Sequence, residues 1–313
     1  MNPSLFAGAI LNGLVTGMLY ALMGVGLSLI LGLLNIPNFA HGVLYALGAY
    51  VMISAAKPLG FVGGALTALV VVGVLGAAVE YLGVRRLYGV HPDYILLLTF
   101  GLSLILTETI ILIWGPVGIT SQPPALLVGS VDLGVTLYPR YRLMVMVVTA
   151  VLVLGCYLFV TRTRYGAIIR AGIEDKEMAA ALGIDIRRVF TLTFAAGAGL
   201  AALGGALMTP VRGLLPTMGL DILPFAFVVV VLGGLGSLPG AILAGLLVGV
   251  VQSLMTAIWA PGADASVFAL MTLGIIARPQ GLSGFHQDHA TRFRKSRLAP
   301  ACLAVNQVQQ FFV

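Results

Sequence analysis

A few polar side chains stand inside the long apolar runs of this sequence, and they could line a path for a polar solute. Glu108 lies deepest, in a run that ends at Trp114. An ionisable group at that depth is costly unless it faces a cavity or a partner chain. This predicts a pathway or intersubunit role, and a carboxyl near the outer interface is the alternative. The further candidates for lining a path are Asn12, Tyr20 and Tyr45.

Two apolar runs are joined by a short polar segment that contains Asn35, Pro37, Asn38 and His41. Proline interrupts helical hydrogen bonding, and a broken helix at membrane depth is tolerated only where protein or water satisfies its backbone. Transporters often place such breaks beside the substrate path. The segment is therefore a candidate substrate contact, gate or packing hinge; a polar turn at the cytoplasmic surface is the other interpretation.

A second break has the same layout of apolar run, interruption and apolar run. Glycine permits sharp turns and close helix approach, so this break is predicted to be structural rather than a ligand contact. Its residues are Gly233, Gly234, Gly236, Pro239 and Gly240.

The strongest local signal lies in a polar stretch between two apolar runs, at 174–185. It predicts a short separate helix with acidic residues in the first turn, where the helix dipole favours them, and a glycine at its C-terminal end. Its small-residue face suits a cleft on another protein, although a solvated surface helix would show a similar pattern. The residues concerned are Glu174, Asp175, Glu177, Ala179, Ala180, Gly183 and Ile184.

Catalytic motifs are absent from the sequence. It has no Gly-Lys dipeptide and hence no P-loop, and it has no HExxH motif. No cluster of Asp, His or Cys suits a catalytic metal, and no serine lies in a nucleophile elbow. The chain is therefore not expected to be an enzyme or to bind a metal.

Composition places these residues in a membrane. Only 9% of the 313 residues are charged, against roughly 25% in globular proteins. The apolar share is 59%, with 40 glycines in addition, and the mean hydropathy is +1.06. A soluble fold, a disordered chain and a disulfide scaffold are excluded. The expected fold is an all-α polytopic membrane helix bundle with broken or re-entrant helices and a cytoplasmic coupling helix.

Runs of about 20 apolar residues are long enough to cross a bilayer. About eight spans are expected, within a range of seven to nine. The long runs cover 6–34, 61–84, 94–114, 141–161, 189–209 and 238–258, and the shorter, ambiguous runs cover 42–56, 223–236 and 266–277.

The basic residues predict an orientation for these spans. Of the 17 lysines and arginines, 13 fall within 85–86, 162–188 and 278–297, which the positive-inside rule assigns to the cytoplasm. The N-terminus is then outside and the C-terminus inside, which requires an odd number of crossings. The net charge of +6 records this orientation, so no nucleic-acid partner is expected.

Small residues spaced four apart predict close helix pairs, because backbone contact drives association in lipid. The pairs are Gly13 and Gly17, Gly60 and Gly64, Gly236 and Gly240, and Gly245 and Gly249.

Several motifs in series resemble one family. Glu177-x-Ala179-x-x-x-Gly183 is similar to the coupling loop of ABC-transporter permeases. The segments Asn35–Gly42 with Gly48-Ala49-Tyr50, Leu232–Ala241 and Arg278–Leu282 resemble signatures of the LivH-type branched-chain amino-acid permeases. Order and spacing agree over 8–284. A permease domain is therefore expected at 1–284, with its coupling loop near 165–188, and a basic, flexible cytoplasmic tail at 285–313.

The resemblance implies a permease subunit of an ABC importer for branched-chain or related amino acids in a bacterial-type plasma (inner) membrane. The implied partners are a second homologous permease, two cytoplasmic ATPases that bind the ATP, and a periplasmic or lipoprotein binding protein. No cofactor is expected in this chain. A permease for urea or amides is the first alternative, and an ATP-independent carrier or channel is the second.

Overall fold

The computed structural model describes residues 3–34, 36–132, 134 and 136–283. Within these ranges the chain forms ten α-helices and one two-stranded antiparallel sheet. The helices are α1 Pro3–Leu34, α2 Ala40–Leu82, α3 Pro92–Trp114, α4 Arg140–Arg162, α5 Arg164–Glu174, α6 Lys176–Ala181, α7 Ile186–Arg212, α8 Met218–Gly233, α9 Leu238–Ile258 and α10 Ala263–Ala277, and the strands are β1 Ser130–Asp132 and β2 Leu137–Pro139.

This architecture confirms the predicted polytopic helical membrane bundle. Seven helical stretches are long and apolar enough to cross a membrane, and α8 is a shorter apolar helix. The small sheet and the bridge between Ile119 and Leu214 were not predicted. Asn35 and the predicted tail at 285–313 lie outside the described residues.

The long helix α2 reverses direction at Gly60, whose φ of 71° lies in the left-handed region. A methyl group at Gly64 would come within 2.7 Å of the Met52 carbonyl oxygen. In a straight helix these residues would stand about 18 Å apart along the axis. The predicted runs 42–56 and 61–84 are therefore two antiparallel segments, and the predicted role of Gly60 in a helix-packing pair is wrong.

With α2 counted as two segments and the shorter α8 included, the described residues form nine apolar segments. Of these, α8 begins inside the bundle, where Gly219 packs against Gly42. The end that carries Arg85, Arg86 and α5 and α6 is called the basic end here, and the other is called the opposite end. At the opposite end, the Trp114 indole donates to Ser54 Oγ over 2.8 Å and Phe61 packs edge-on to Tyr141. The odd number of segments agrees with the count that the predicted orientation requires.

Helices α1 and α7 form the centre of the bundle. In the most apolar 18-residue stretch of each helix, 83% of the α1 residues and 67% of the α7 residues are buried. The corresponding shares for α2, α3 and α4 are 22–28%. Exposed leucine, valine and isoleucine side chains cover the outer helices, as expected where lipid replaces water.

Glycines set the approach of α1 to α9. A methyl group at Gly13 would lie 2.7 Å from the Val250 Cα, and one at Gly17 would lie 2.9 Å from the Leu246 Cα. A methyl group at Gly249 would clash with the Gly17 backbone. The two predicted small-residue pairs, on α1 and α9, thus pack against each other. The third predicted pair is wrong, because Gly236 has a φ of 76° and forms part of a turn.

Candidate functional site

Two N-terminal caps start the short helices α5 and α6 at the basic end. Thr163 caps α5 by accepting from the Gly166 amide over 3.1 Å. Asp175 caps α6 by accepting from the Glu177 and Met178 amides over 3.0 and 2.9 Å. Side chains of this kind satisfy the free amides of a helix start. The predicted helix at 174–185 is therefore corrected: Glu174 ends α5, Asp175 lies before the first turn, and Ile184 lies beyond the last.

The C-terminal end of α6 is closed by Gly183, as predicted. Its φ of 83° suits a residue without a Cβ. Its amide donates to the Ala180 carbonyl over 2.9 Å, and the Ile184 amide donates to the Ala179 carbonyl over 3.2 Å. The hydrogen bonds of a six-residue helix are thus fixed at both ends.

The faces of α6 differ sharply. Ala179 is 2% exposed and points inward, whereas Met178 and Leu182 are 61% and 76% exposed. Glu177 and Ala180 are also exposed. The small-residue face predicted from the alanines is therefore divided, and an apolar pair at i and i+4 faces outward.

A cleft of about 410 Å³ lies behind α6. It is lined by α6, by the basic ends of α1 and α7, and by the connection between α2 and α3. The Lys176 ammonium stands 5.4 Å from the centre of the Phe190 ring, and burial lowers the pKa of Lys176. Close packing therefore does not fill the space between α6 and the membrane helices.

Glu80 ties together the helices at the basic end. Its side chain is fully buried and accepts from Tyr88 Oη over 2.7 Å and from Thr191 Oγ1 over 2.5 Å. Arg85 forms a 3.4 Å ion pair with it and donates to the Arg187 carbonyl over 3.2 Å. Burial and the bond to Glu80 raise the pKa of Tyr88. The Glu80–Arg85 ion pair is thus part of a larger cluster that joins α2 to α7.

The first break begins at the basic end, where Ile36 lines the cleft behind α6, and enters the bundle at Phe39. Phe39 packs against Phe100 of α3 and Phe227 of α8, with ring centres 6.2 and 5.6 Å away. His41 is fully buried, and its Nε2 lies 3.2 Å from the Met23 carbonyl oxygen. The segment therefore runs from the basic end into the bundle, so a polar turn confined to the cytoplasmic surface does not describe it. Hydropathy gives the length of each run but not the depth at which the chain turns.

Two polar atoms of this break have no hydrogen-bond partner among the described residues: Asn38 Nδ2 and His41 Nδ1. The Asn38 carbonyl oxygen Oδ1 accepts from the Ala40 amide over 3.0 Å, which starts α2. Because both side chains are buried, the segment has the character of a hinge or gate more than of an open binding surface.

The second break is closed by the last described residues. Ser237 caps α9 by accepting from the Gly240 amide over 3.2 Å and is hydrogen-bonded to Ser283. The Leu282 amide donates to the Leu232 carbonyl over 2.9 Å. A methyl group at Gly234 would come within 3.0 Å of the Gln280 carbonyl oxygen. These contacts give the break a structural role, which was the favoured interpretation.

The predicted path residues do not form one group. Tyr20 and Tyr45 are both buried, and Tyr20 Oη donates to Gln252 over 2.8 Å. Asn12 belongs to a separate cluster, where its Oδ1 accepts from Tyr138 Oη over 3.0 Å and from Arg142. Burial raises the pKa of Tyr138.

Glu108 is exposed on the outer face of α3. It does not face the interior of this chain, so it does not line a path within it. Its remaining interpretations are a contact with a partner chain and a carboxyl near the interface.

Three functional candidates escaped the sequence analysis: Arg212, Gln252 and Asp264. The Gln252 amide donates to Asp264 Oδ1 over 3.0 Å and accepts from Tyr20 Oη over 2.8 Å. Gln252 could have been found from the sequence, because a polar amide inside an apolar run indicates a functional site. In the described part of the chain, no group of three His, Cys, Asp or Glu residues could hold a metal ion.

The sequence of this chain is similar to those of known membrane transport proteins. Residues 9–277 match the family described as "Branched-chain amino acid transport system / permease component". The high-affinity branched-chain amino acid transport system permease protein BraD of Pseudomonas aeruginosa is 31% identical over 88% of this chain and 94% of its own length.

The related permease protein LivH of Escherichia coli K12 is 31% identical over 89% of this chain and 96% of its own length. LivM of the same organism is 29% identical over 85% of this chain and 68% of its own length. No solved structure matches significantly. The matches span the whole bundle, including both breaks and the α6 unit. The chain is therefore a multi-pass membrane protein that belongs to the branched-chain amino acid transport permease family.

Proposed function

We propose that this chain is the membrane-spanning permease subunit of an ABC importer for branched-chain or related amino acids. The relatives are named as permease proteins of branched-chain amino acid transport systems, which supports the substrate class. The membrane would be a bacterial-type plasma membrane, with the basic end and the C-terminus in the cytoplasm, as the distribution of lysine and arginine favours.

The outward apolar pair on α6 carries the proposal. Met178 and Leu182 are exposed on a helix that is capped at both ends and lies outside the apolar segments. Exposed apolar side chains at a water-facing site are typical of a binding surface. They would enter a cleft on an ATPase subunit, and the buried Ala179 would hold α6 on the permease.

Movement of α6 can reach the membrane helices through named contacts. The Glu80 cluster connects α7, which follows α6, to α2. The cleft behind α6 leaves room for a displacement. A rigid-body shift of this unit would switch the bundle between outward-open and inward-open states, with the buried break at Asn38 and His41 as a hinge or gate.

The remaining partners follow from the relatives and the exposed faces. Relatives named LivH and LivM both match this chain, which supports pairing with a second, similar permease. Contact with that subunit would shield Glu108 from lipid. ATP would be bound by two ATPase subunits, and a periplasmic or lipoprotein binding protein would deliver the substrate.

Reconstitution tests the proposal. The chain, its companion permease and two ATPases would be assembled in proteoliposomes with the binding protein, and uptake of labelled leucine would be measured with and without ATP. We expect uptake only when both ATP and the ATPases are present. Leucine uptake without ATPases would favour a carrier or channel, and uptake of urea or an amide instead of leucine would favour the other substrate class.

A further inference from the structure

A cation and an anion lie at the opposite end of the bundle. Arg212 is the last residue of α7, and Asp264 lies in the first turn of α10. Both side chains are exposed, and neither belongs to an ion pair among the residues that the structure describes. Both charges are therefore accessible to a ligand.

A series of two side-chain hydrogen bonds links Asp264 to the buried interior. Tyr20 Oη donates to Gln252 Oε1 over 2.8 Å, and Gln252 Nε2 donates to Asp264 Oδ1 over 3.0 Å. Tyr20 is 1% exposed and Gln252 is 6% exposed. These hydrogen bonds join α1, α9 and α10, and they fix one oxygen of the Asp264 carboxylate. The Arg212 guanidinium lies near the same Tyr20 hydroxyl.

Two phenylalanine rings pack beside Tyr20 and extend from these hydrogen bonds towards the surface. The Tyr20 ring is stacked on Phe225 with centres 5.6 Å apart, and Phe225 lies 6.1 Å from Phe268. Phe268 is 42% exposed. Cation, anion and apolar surface are thus grouped at one place on four helices, α1, α8, α9 and α10, beside the end of α7.

We propose that Arg212, Asp264, Tyr20, Gln252, Phe225 and Phe268, together called the charge bracket, bind the zwitterion of a free α-amino acid. Arg212 would donate to the α-carboxylate, since guanidinium matches carboxylate geometry. Asp264 would accept from the α-ammonium group, and the aliphatic side chain would lie against Phe225 and Phe268. This inference rests on the proposed function and adds the site that distinguishes amino acids from urea and amides, which lack this pair of charges.

The other polar cluster at this end fits the ligand less well. Asn12 already accepts from both Tyr138 and Arg142, so its carbonyl oxygen is occupied, and no carboxylate of the described residues joins these hydrogen bonds. A zwitterion requires both signs of charge, which the charge bracket provides.

Uptake by charge-neutral variants tests the bracket. In the reconstituted importer, Arg212→Gln and Asp264→Asn should each lower leucine uptake by about tenfold or more, the loss expected for a hydrogen bond to a charged group. Arg140→Gln and Asp132→Asn remove exposed charges at the same end of the bundle and should stay within about twofold of the original protein by the same reasoning. Equal uptake by all four variants, or an equal loss in all four, would overturn the charge bracket.

Photolabelling provides a second readout that does not depend on coupling to ATP. A leucine analogue with a diazirine in its side chain should label peptides from α8 or α10 in the purified complex. Arg212→Gln should lose this labelling and Arg140→Gln should keep it; equal labelling of both contradicts the inference. Failure of the original complex to take up any amino acid would instead overturn the proposed function, whereas normal leucine uptake with unaffected bracket variants would overturn only the bracket.

Discussion

At the scale of single residues, a buried carboxylate holds the basic end together. Glu80 has no exposed surface, and Arg85, Tyr88 and Thr191 all donate to it. A buried charge is tolerated only when it is paired and hydrogen-bonded, and these three donors come from two distant parts of the sequence. The cluster therefore fixes the position of α7 relative to the α2–α3 connection.

Glu80→Gln should destabilise the protein by about 3 kcal/mol, because the amide leaves the partly buried Arg85 without its counter-charge. The measurement is thermal unfolding of the purified protein in detergent. Asp93→Asn is the matched control, since Asp93 pairs with His91 and both side chains are more than two-thirds exposed. Equal melting temperatures for Glu80→Gln and the control would show that the cluster does not stabilise the fold.

At the scale of helices, the α1–α9 pair depends on the absence of side chains. Gly249→Ala places a methyl group against the Gly17 backbone, where neither helix has a flexible side chain to move. We expect a loss of about 1–3 kcal/mol, as for other overpacked sites.

Gly155→Ala is the control for this substitution. Gly155 also lies within a membrane helix, α4, but an added Cβ meets no atom within 4 Å. The free energy of unfolding of both variants is measured by denaturant titration. Gly155→Ala reports the change in helix propensity alone, and the difference between the two variants reports the loss of packing. A Gly249→Ala protein as stable as Gly155→Ala would mean that the two helices separate without cost.

The outward face of α6 leads to a second prediction at this scale. Met178→Asp together with Leu182→Asp should abolish co-purification of the ATPase subunits, because charges replace the apolar surface proposed to be buried on docking. Leu215→Asp is the control, since Leu215 is 51% exposed at the opposite end. ATPases that remain bound to the double variant would exclude this face as the contact.

The sequence predicted helices better than it predicted their contacts. The spacing of Gly13 with Gly17 and of Gly245 with Gly249 indicated close packing, because only small residues allow helices to meet in this way. The same spacing failed at Gly60, where backbone conformation and not packing requires glycine. Arg212 and Asp264 carry no signal in the sequence, since their common proximity to Tyr20 and Gln252 arises from tertiary packing across distant helices.

At the scale of the whole molecule, charge and topology give consistent answers. The first apolar segment, α1, begins beside Tyr138 at the opposite end. The last, α10, leads to Gly281, which packs on the second break beside α5 at the basic end. The basic stretches at 85–86 and 162–188 then share one side of the bundle, where the positive-inside rule places the cytoplasm. The charge bracket lies on the other side, which is the side where an importer would receive its substrate.

Cysteine labelling tests this orientation directly. In a background with Cys156→Ser and Cys302→Ser, Ser121→Cys tests the opposite end and Ala180→Cys tests α6; neither native side chain is buried. A membrane-impermeant maleimide should label position 121 in intact spheroplasts and position 180 only after permeabilisation. An inverted pattern would place α6 outside, where no cytoplasmic ATPase could reach it. Labelling at both positions before permeabilisation would mean that the segments between them do not cross the membrane an odd number of times.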